Sequence, residues 1–117
     1  MYVMIPSPRK VGKGLFEALM KKGRHCVSES FSARILTGID VLPIRFSVVV
    51  AKKLERSAVL RNTYKRRVYS LLRLFLNKIQ PGTVCAMFLK KKINKKDLPS
   101  LAVELETFFK KSNIIGR

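Results

Sequence analysis

Residues 58–68 of the chain read AVLRNTYKRRV. The apolar side chains of Leu60, Tyr64 and Val68 recur every four positions, which predicts an amphipathic helix with one buried stripe. Ser57, directly before this segment, is a residue type that caps helix N-termini. The same segment carries four cations. A helix that buries one side and holds this much charge is predicted to present its cations to a polyanion.

The charge of the whole chain points the same way. The 117 residues include 25 Lys and Arg against 7 Asp and Glu, a formal net charge of +18. Hydrophobic residues make up 47%, which is enough for a folded core and argues against a disordered basic tail. Such a charge excess on a folded domain indicates an anionic partner, either nucleic acid or a membrane surface.

Two cysteines and the apolar runs set the expected compartment. Cys26 and Cys85 are predicted to be buried or half-buried free thiols in a reducing cytoplasm. No apolar run approaches the roughly 20 residues that a membrane span needs. We therefore expect a soluble, cytoplasmic protein. Along the chain, we expect a flexible basic arm over residues 1–12 and one RNA-binding domain over residues 13–117.

Helical and strand periodicities alternate along the chain. Helices are predicted from Leu15 to Gly23, from Ser57 to Pro81-Gly82 and from about Asp97 onward; strands are predicted over residues 25–36, 44–50 and 83–89. This order predicts an α+β fold with helices packed on one small sheet. The first two strands are expected to be antiparallel neighbours, and the third, apolar on both faces, is expected to be central. The buried stripe of the long helix is predicted to comprise Leu60, Tyr64, Val68, Leu71, Phe75 and Ile79.

The cations of the long helix have two possible interpretations, a solvated face or an RNA-binding face. Asn62, Arg66, Tyr69 and Arg73 are predicted to share the face opposite the stripe, with Arg61 and Lys65 at one edge of the stripe and Arg67 at the other. Most charge runs on helices are solvated faces. A solvated face normally carries both positive and negative side chains, whereas no Asp or Glu occurs from Arg56 through Phe88. This bias favours RNA binding. The second cluster, five lysines within residues 90–96, fits a phosphate contact and a solubilising loop equally well.

The residues argue against a catalytic site in this chain. His25 is the single histidine, so a two-histidine acid–base ribonuclease is excluded. The seven acids are scattered, and none forms a pair suited to a two-metal site. The cysteines lack the spacing of metal ligands. The chain is therefore expected to bind RNA without cutting it by itself.

The segment from Arg61-Asn62 to Lys65-Arg66 resembles the arginine-rich signature of the bacterial ribonuclease P protein subunit. Its context is similar too: Val48 to Lys53 resembles the strand and paired lysines before the signature, and Leu15-Phe16-Glu17 resembles the first helix of the family. The resemblance covers roughly residues 13–112. Departures at Thr63, Tyr69, Ser70 and Arg34 identify a divergent member.

This resemblance implies an α-β-β-β-α-β-α two-layer sandwich like the second domain of ribosomal protein S5, with a left-handed β-α-β crossover. It implies that the chain, as a subunit of a ribonucleoprotein endoribonuclease, binds the catalytic RNA and the 5′ leader of precursor tRNA and needs no protein oligomer. The Mg²⁺ that supports removal of the leader would be bound mainly through the RNA and not by the protein alone. The RNA-binding set would be Arg61, Asn62, Lys65, Arg66, Arg67, Arg73, Lys52 and Lys53. The leader-binding cleft would include Phe16, Phe31, Arg34 and Lys53.

Other interpretations of the same residues stay open. A small basic ribosomal protein, or another structural RNA-binding protein without a role in cleavage, would have similar electrostatics. A protein-only nuclease and a cationic membrane-surface protein are further alternatives. The first would sediment with a ribosomal subunit, the second would cleave precursor tRNA unaided, and the third would bind anionic vesicles.

Overall fold

The secondary structure is taken from a computed structural model that describes residues 13–37, 45–75, 78–79 and 82–112. The elements are α1 (Lys13–Lys22), β1 (Arg24–Val27), β2 (Phe31–Leu36), β3 (Arg45–Val49), α2 (Ala58–Leu72), β4 (Val84–Leu89) and α3 (Leu98–Lys111). Short 3₁₀ turns follow α2 and precede α3. The α-β-β-β-α-β-α order implied by the resemblance is confirmed. The basic arm predicted for residues 1–12 lies outside the described residues.

The sheet has the strand order β1-β2-β4-β3. Strand β4 is therefore central, as its apolar character on both faces predicts. It runs antiparallel to β2 and parallel to β3. The prediction that β2 and β3 are antiparallel neighbours is wrong, because β4 lies between them. A central position covers both faces and both edges of β4, whose residues are nearly all buried.

The predicted strand over residues 25–36 is instead a hairpin. Strands β1 and β2 pair antiparallel from Arg24↔Ile35 to Val27↔Ser32, and the Ser28 N–H donates to the Phe31 carbonyl at 2.8 Å across the turn. The alternating pattern continues through the turn, so it did not reveal the reversal of the chain.

The two faces of the sheet carry different helices. Helices α2 and α3 pack on one face, and their buried residues form the main core with alternate residues of β2, β3 and β4; the members include Phe31, Phe46, Val48, Met87, Tyr64, Val68, Leu72, Leu105 and Phe109. Helix α1 packs on the opposite face, where Leu19 is buried against Val84 and Ala86. The sheet with α2 and α3 is the predicted sandwich, and α1 covers part of its other side.

Helix α2 begins as predicted and ends earlier. The Ser57 hydroxyl accepts the Leu60 N–H at 3.2 Å, which confirms the N-cap. The α-helix stops at Leu72 instead of continuing towards residue 81. Leu60 was predicted to be in the buried stripe and is 42% exposed, whereas Leu72, which the stripe omitted, is fully buried. Gly82 adopts a φ of 79° before β4, a left-handed conformation that favours glycine.

Tyr69 differs from its predicted place on the outer face of α2. Its ring packs against the main core, and its hydroxyl accepts the Val48 N–H of β3 at 3.1 Å. Burial raises the pKa of this phenol. The long side chain starts on the flank of the helix and reaches the outer strand of the sheet, so the position on the helical wheel alone misassigned it.

The β1–β2 turn is held by Glu104 of α3. The Glu104 carboxylate accepts hydrogen bonds from the Ser28 hydroxyl, from the Ser30 N–H at 2.8 Å and from the Ser30 hydroxyl at 2.7 Å. Partial burial alone would raise the pKa of Glu104, but these hydrogen bonds outweigh burial and hold the pKa below its usual 4.5. The hairpin is thereby joined to the last helix by an ionised carboxylate.

Replacing Glu104 with alanine is expected to lower the free energy of unfolding by about 1–3 kcal/mol at neutral pH, because Ser28 and Ser30 lose a charged acceptor. In the unmodified protein, the Glu104 carboxyl has a higher pKa in the unfolded state than in the folded state, so the unfolded state takes up its proton at higher pH. The stabilisation is therefore complete above about pH 4.5 and is lost as the pH falls through the lower folded pKa. When the free energy of unfolding is measured in urea at several pH values, the variant should lack this loss of stability at low pH.

The matched control is Glu106→Ala on the same helix. Glu106 makes an exposed ion pair with Lys110 at 3.3 Å, a type of contact worth about 0.3–0.5 kcal/mol. Equal losses for the two variants would show that Glu104 contributes no more than a surface charge.

Candidate nucleic-acid interface

Four polar residues of α2 form what we call the arginine face: Arg61, Asn62, Lys65 and Arg66. At about 100° per residue they span roughly 140° of the helix circumference, on the same flank as Tyr69 and the edge strand β3. Asn62 and Arg66 are exposed, and Arg61 and Lys65 are half-buried. The structure thus brings the four predicted residues together on one side of one helix. Arg73, also predicted to bind RNA, lies half-buried at the end of the same flank.

Arg61 also stabilises the start of α2. Its Nη1 donates to the carbonyls of Glu55 at 3.0 Å and Arg56 at 2.8 Å. A guanidinium has five N–H donors, so these two bonds leave capacity for a phosphate. The contacts hold the side chain in one orientation beside the helix N-terminus.

Glu55 is the acid closest in sequence to the arginine face, and it is engaged elsewhere. Its carboxylate accepts the Ser57 N–H at 3.1 Å and the Tyr64 hydroxyl at 3.0 Å, and pairs with Lys92 Nζ at 3.3 Å. The hydrogen bond from the Ser57 backbone is the main cause of its lowered pKa, and the contacts with Tyr64 and Lys92 add to it. Sequence reasoning did not assign a role to Glu55, although its position two residues before the Ser57 cap is a signal.

Arg67 lies on the other flank of α2, as its position at the far edge of the stripe predicts. Its Nη1 donates to the carbonyl of Ile93 at 2.6 Å, a partly buried contact. Arg67 therefore joins α2 to the loop between β4 and α3. It is not part of the arginine face.

Lys52 and Lys53 lie in the turn between β3 and α2, and both are exposed. The turn is closed by the N–H groups of Leu54 and Glu55, which donate to the Ala51 carbonyl at 3.0 and 3.2 Å. Because the turn leads directly into the N-terminus of α2, these two predicted RNA-binding lysines are close in the chain to Arg61.

A second candidate surface is the sheet face that carries α1. Phe16 of α1 and Phe88 of β4 are half-buried, with ring centroids 6.3 Å apart in an edge-to-face arrangement. Arg34 of β2 pairs with Ala86 of β4, which places both on this side of the sheet. Phe16 and Arg34 thus share the predicted cleft face, and Phe88 is a member that the sequence did not single out.

Phe31 does not belong to this cleft. It is fully buried on the opposite face of the sheet, with its ring centroid 4.8 Å from that of Phe108. Side chains alternate along a strand, so Phe31 shares the core face with Ala33 and Ile35, away from Arg34. The alternation in the sequence already contained this signal, and the assignment of Phe31 to the leader cleft is wrong.

Two further properties of the described residues bear on function. Within residues 13–37, 45–75, 78–79 and 82–112, no three His, Cys, Asp or Glu side chains come together in a way that could hold a metal ion. In the same ranges, no helix combines the length and the apolar character needed to cross a membrane.

Comparison with known proteins identifies the family. The profile described as Ribonuclease P matches residues 11–113. The ribonuclease P protein component of Rippkaea orientalis is 25% identical over 115 residues, which cover 95% of this chain and 87% of that protein. The corresponding component of a Pseudanabaena species is 24% identical, with 86% of each chain covered.

Solved structures share the fold. The ribonuclease P protein of Staphylococcus aureus superposes with a TM-score of 0.76 at 20% identity, covering 92% of this chain and 98% of the other. The protein of Thermotoga maritima gives a TM-score of 0.70 at 23% identity, covering 82% and 89%. Because the profile match extends over nearly the full length, the chain belongs to the ribonuclease P protein family, whose members are components of an endoribonuclease ribonucleoprotein.

Proposed function

We propose that this chain binds the catalytic RNA of ribonuclease P through the arginine face and the 5′ leader of precursor tRNA on the α1 side of the sheet. The observation that carries the proposal is the exposure of Asn62 and Arg66 on a helix whose neighbouring acid, Glu55, is already engaged. The positive charge of Arg66 and the hydrogen-bonding groups of both side chains are therefore available to a partner.

The arginine face suits folded RNA. An arginine guanidinium donates two parallel hydrogen bonds to phosphate oxygens, and Asn62 offers an uncharged donor and acceptor to a 2′-hydroxyl or a base edge. The Ser57 cap and the two carbonyl contacts of Arg61 hold the helix start in place. Less side-chain entropy is lost on binding when the contacting groups are already ordered.

The sheet face suits a single strand. Half-buried aromatic rings such as those of Phe16 and Phe88 offer a stacking surface to unpaired bases, and a cation such as Arg34 neutralises the adjoining phosphates. Lys53 lies exposed in the turn before α2 and adds a further phosphate contact. Recognition of this kind tolerates different leader sequences, since every base has an aromatic face.

The hydrolysis itself is assigned to the RNA. The donor set of the described residues does not fit a protein-held Mg²⁺, because its carboxylates are scattered or hydrogen-bonded. The Mg²⁺ that the reaction requires would be held by RNA phosphates, and the chain would act in the cytoplasm by binding and orienting RNA.

The test is reconstitution of the purified chain with ribonuclease P RNA and precursor tRNA at limiting Mg²⁺. We expect the protein to restore 5′ maturation that the RNA alone performs poorly under these conditions. Cleavage by the chain without RNA would contradict the assignment of chemistry to the RNA. Failure to bind this RNA, together with sedimentation with a ribosomal subunit, would favour a structural ribosomal role instead.

A further inference from the structure

The loop between β4 and α3 is a second cationic surface, which we call the lysine loop. It spans Lys90–Lys96 and contains five lysines, all of them exposed. The following inference rests on the proposed function, since it concerns how the same RNA is held.

The lysine loop is rigidly attached to the rest of the protein. Ile93 at its centre is fully buried in the main core, and the Ile93 carbonyl accepts the 2.6 Å hydrogen bond from Arg67 of α2. The Asn94 N–H donates to the Asp97 carboxylate at 2.9 Å. A solubilising loop needs none of these contacts, whereas a binding surface gains from being ordered in advance.

The acids near the lysine loop neutralise only part of it. The Glu104 carboxylate accepts hydrogen bonds from Ser28 and Ser30 and also interacts electrostatically with Lys91, and the Asp97 carboxylate accepts from the backbone of Asn94. Lys92 is paired with Glu55. The side chains of Lys95 and Lys96 form neither a hydrogen bond nor an ion pair with any residue that the structure describes, so their ammonium groups remain available to an anion.

The lysine loop and the arginine face lie on different flanks of α2. Arg66 belongs to the arginine face, and Arg67, the next residue, bonds to the lysine loop; consecutive helical residues point about 100° apart. The surface between the two flanks is uncharged: Val59 is 73% exposed, and Thr63 and Ser70 continue the same strip. The two cationic surfaces are therefore separated by a neutral strip on a helix roughly 10–12 Å in diameter.

We propose that the lysine loop binds the phosphate backbone of a second RNA segment, distinct from the segment on the arginine face. The chain then bridges two parts of the catalytic RNA across helix α2. Lysine ammonium groups suit this role because they act as compact charges that contact phosphates without reading sequence.

The first test compares the triple variant Lys91→Ala/Lys95→Ala/Lys96→Ala with the control Lys21→Ala/Lys22→Ala/Lys111→Ala, which removes the same charge from the ends of α1 and α3. Each neutralised phosphate contributes about 0.7–0.9 to the slope of log K against log salt. The loop variant should lose about 2–3 units of slope, so its deficit in affinity should shrink roughly 20- to 40-fold between about 50 and 200 mM salt. The same change in the control, or no change in the loop variant, would overturn the proposal.

The second test locates the RNA segments directly. An iron–EDTA cleavage probe is attached to the thiol of Lys95→Cys on the lysine loop or of Ala58→Cys, a position that is exposed on the flank of the arginine face. The background carries Cys26→Ser, while Cys85 is buried and its thiol pKa is raised by burial. We expect cleavage of two separate RNA segments; cleavage of the same nucleotides from both positions would refute bridging.

The outcomes separate this inference from the proposed function. If the unmodified chain fails to bind ribonuclease P RNA, the proposed function fails. If the chain binds and restores maturation while the lysine-loop variant behaves like the control, only the bridging inference fails.

Discussion

Replacing Arg66 with alanine is expected to weaken binding to ribonuclease P RNA by about 1–3 kcal/mol, or roughly 5- to 150-fold in Kd. Arg66 is exposed on the arginine face, and its side chain makes no hydrogen bond or ion pair with any other described residue, so truncating it removes a partner contact and leaves internal contacts intact. Filter binding or fluorescence titration at one fixed salt concentration measures the change. The melting temperature should stay nearly unchanged.

Two variants serve as controls for Arg66→Ala. Lys111→Ala removes one exposed charge from the end of α3 and should have little effect on binding. Arg67→Ala should lower the melting temperature, because it removes the hydrogen bond to the Ile93 carbonyl. An Arg66 variant that binds like the Lys111 variant would exclude Arg66 from the interface.

Replacing Phe109 with alanine is expected to lower the free energy of unfolding by about 3–5 kcal/mol. The ring is fully buried in the main core, with centroids 5.4, 5.8 and 6.1 Å from those of Phe75, Phe108 and Phe46. Its removal would leave a cavity between α3, the turn after α2 and strand β3. Equilibrium unfolding in urea measures the loss.

Val103→Ala is the control for Phe109 because it lies on the same helix and is 64% exposed. A surface truncation of this kind usually changes stability by no more than about 0.5 kcal/mol. If both variants lost a similar free energy of unfolding, the burial of Phe109 would contribute little to stability, contrary to the observed core.

The sequence predicted local features well. Helix α3 buries Leu101, Leu105 and Phe108 as its spacing indicated, Ser57 caps α2, and β4 is central. Each of these depends on residues adjacent in the chain or on the composition of one strand. The arginine face could be predicted for the same reason, since its members lie within little more than one helical turn.

The errors arose where distant segments meet. Nothing in β2 or β3 alone indicates that β4, about 50 residues after β2, enters between them. The reversal at Ser28–Ser30 depends on Glu104 of α3, and the burial of Tyr69 depends on an N–H group of β3. The same applies to the lysine loop, whose attachment through Arg67 and Ile93 is visible only in three dimensions.

The contact between the Tyr69 hydroxyl and the Val48 N–H has a consequence for self-association. Strand β3 is the outer strand on its side of the sheet, and an outer strand with unpaired backbone donors is a template to which another polypeptide can add. Here a phenol occupies the N–H donor of Val48, the fourth of the five residues of that strand. Intermolecular strand addition on this side would first have to displace Tyr69 from its place beside the core, so the contact protects a highly cationic chain from aggregating through its sheet.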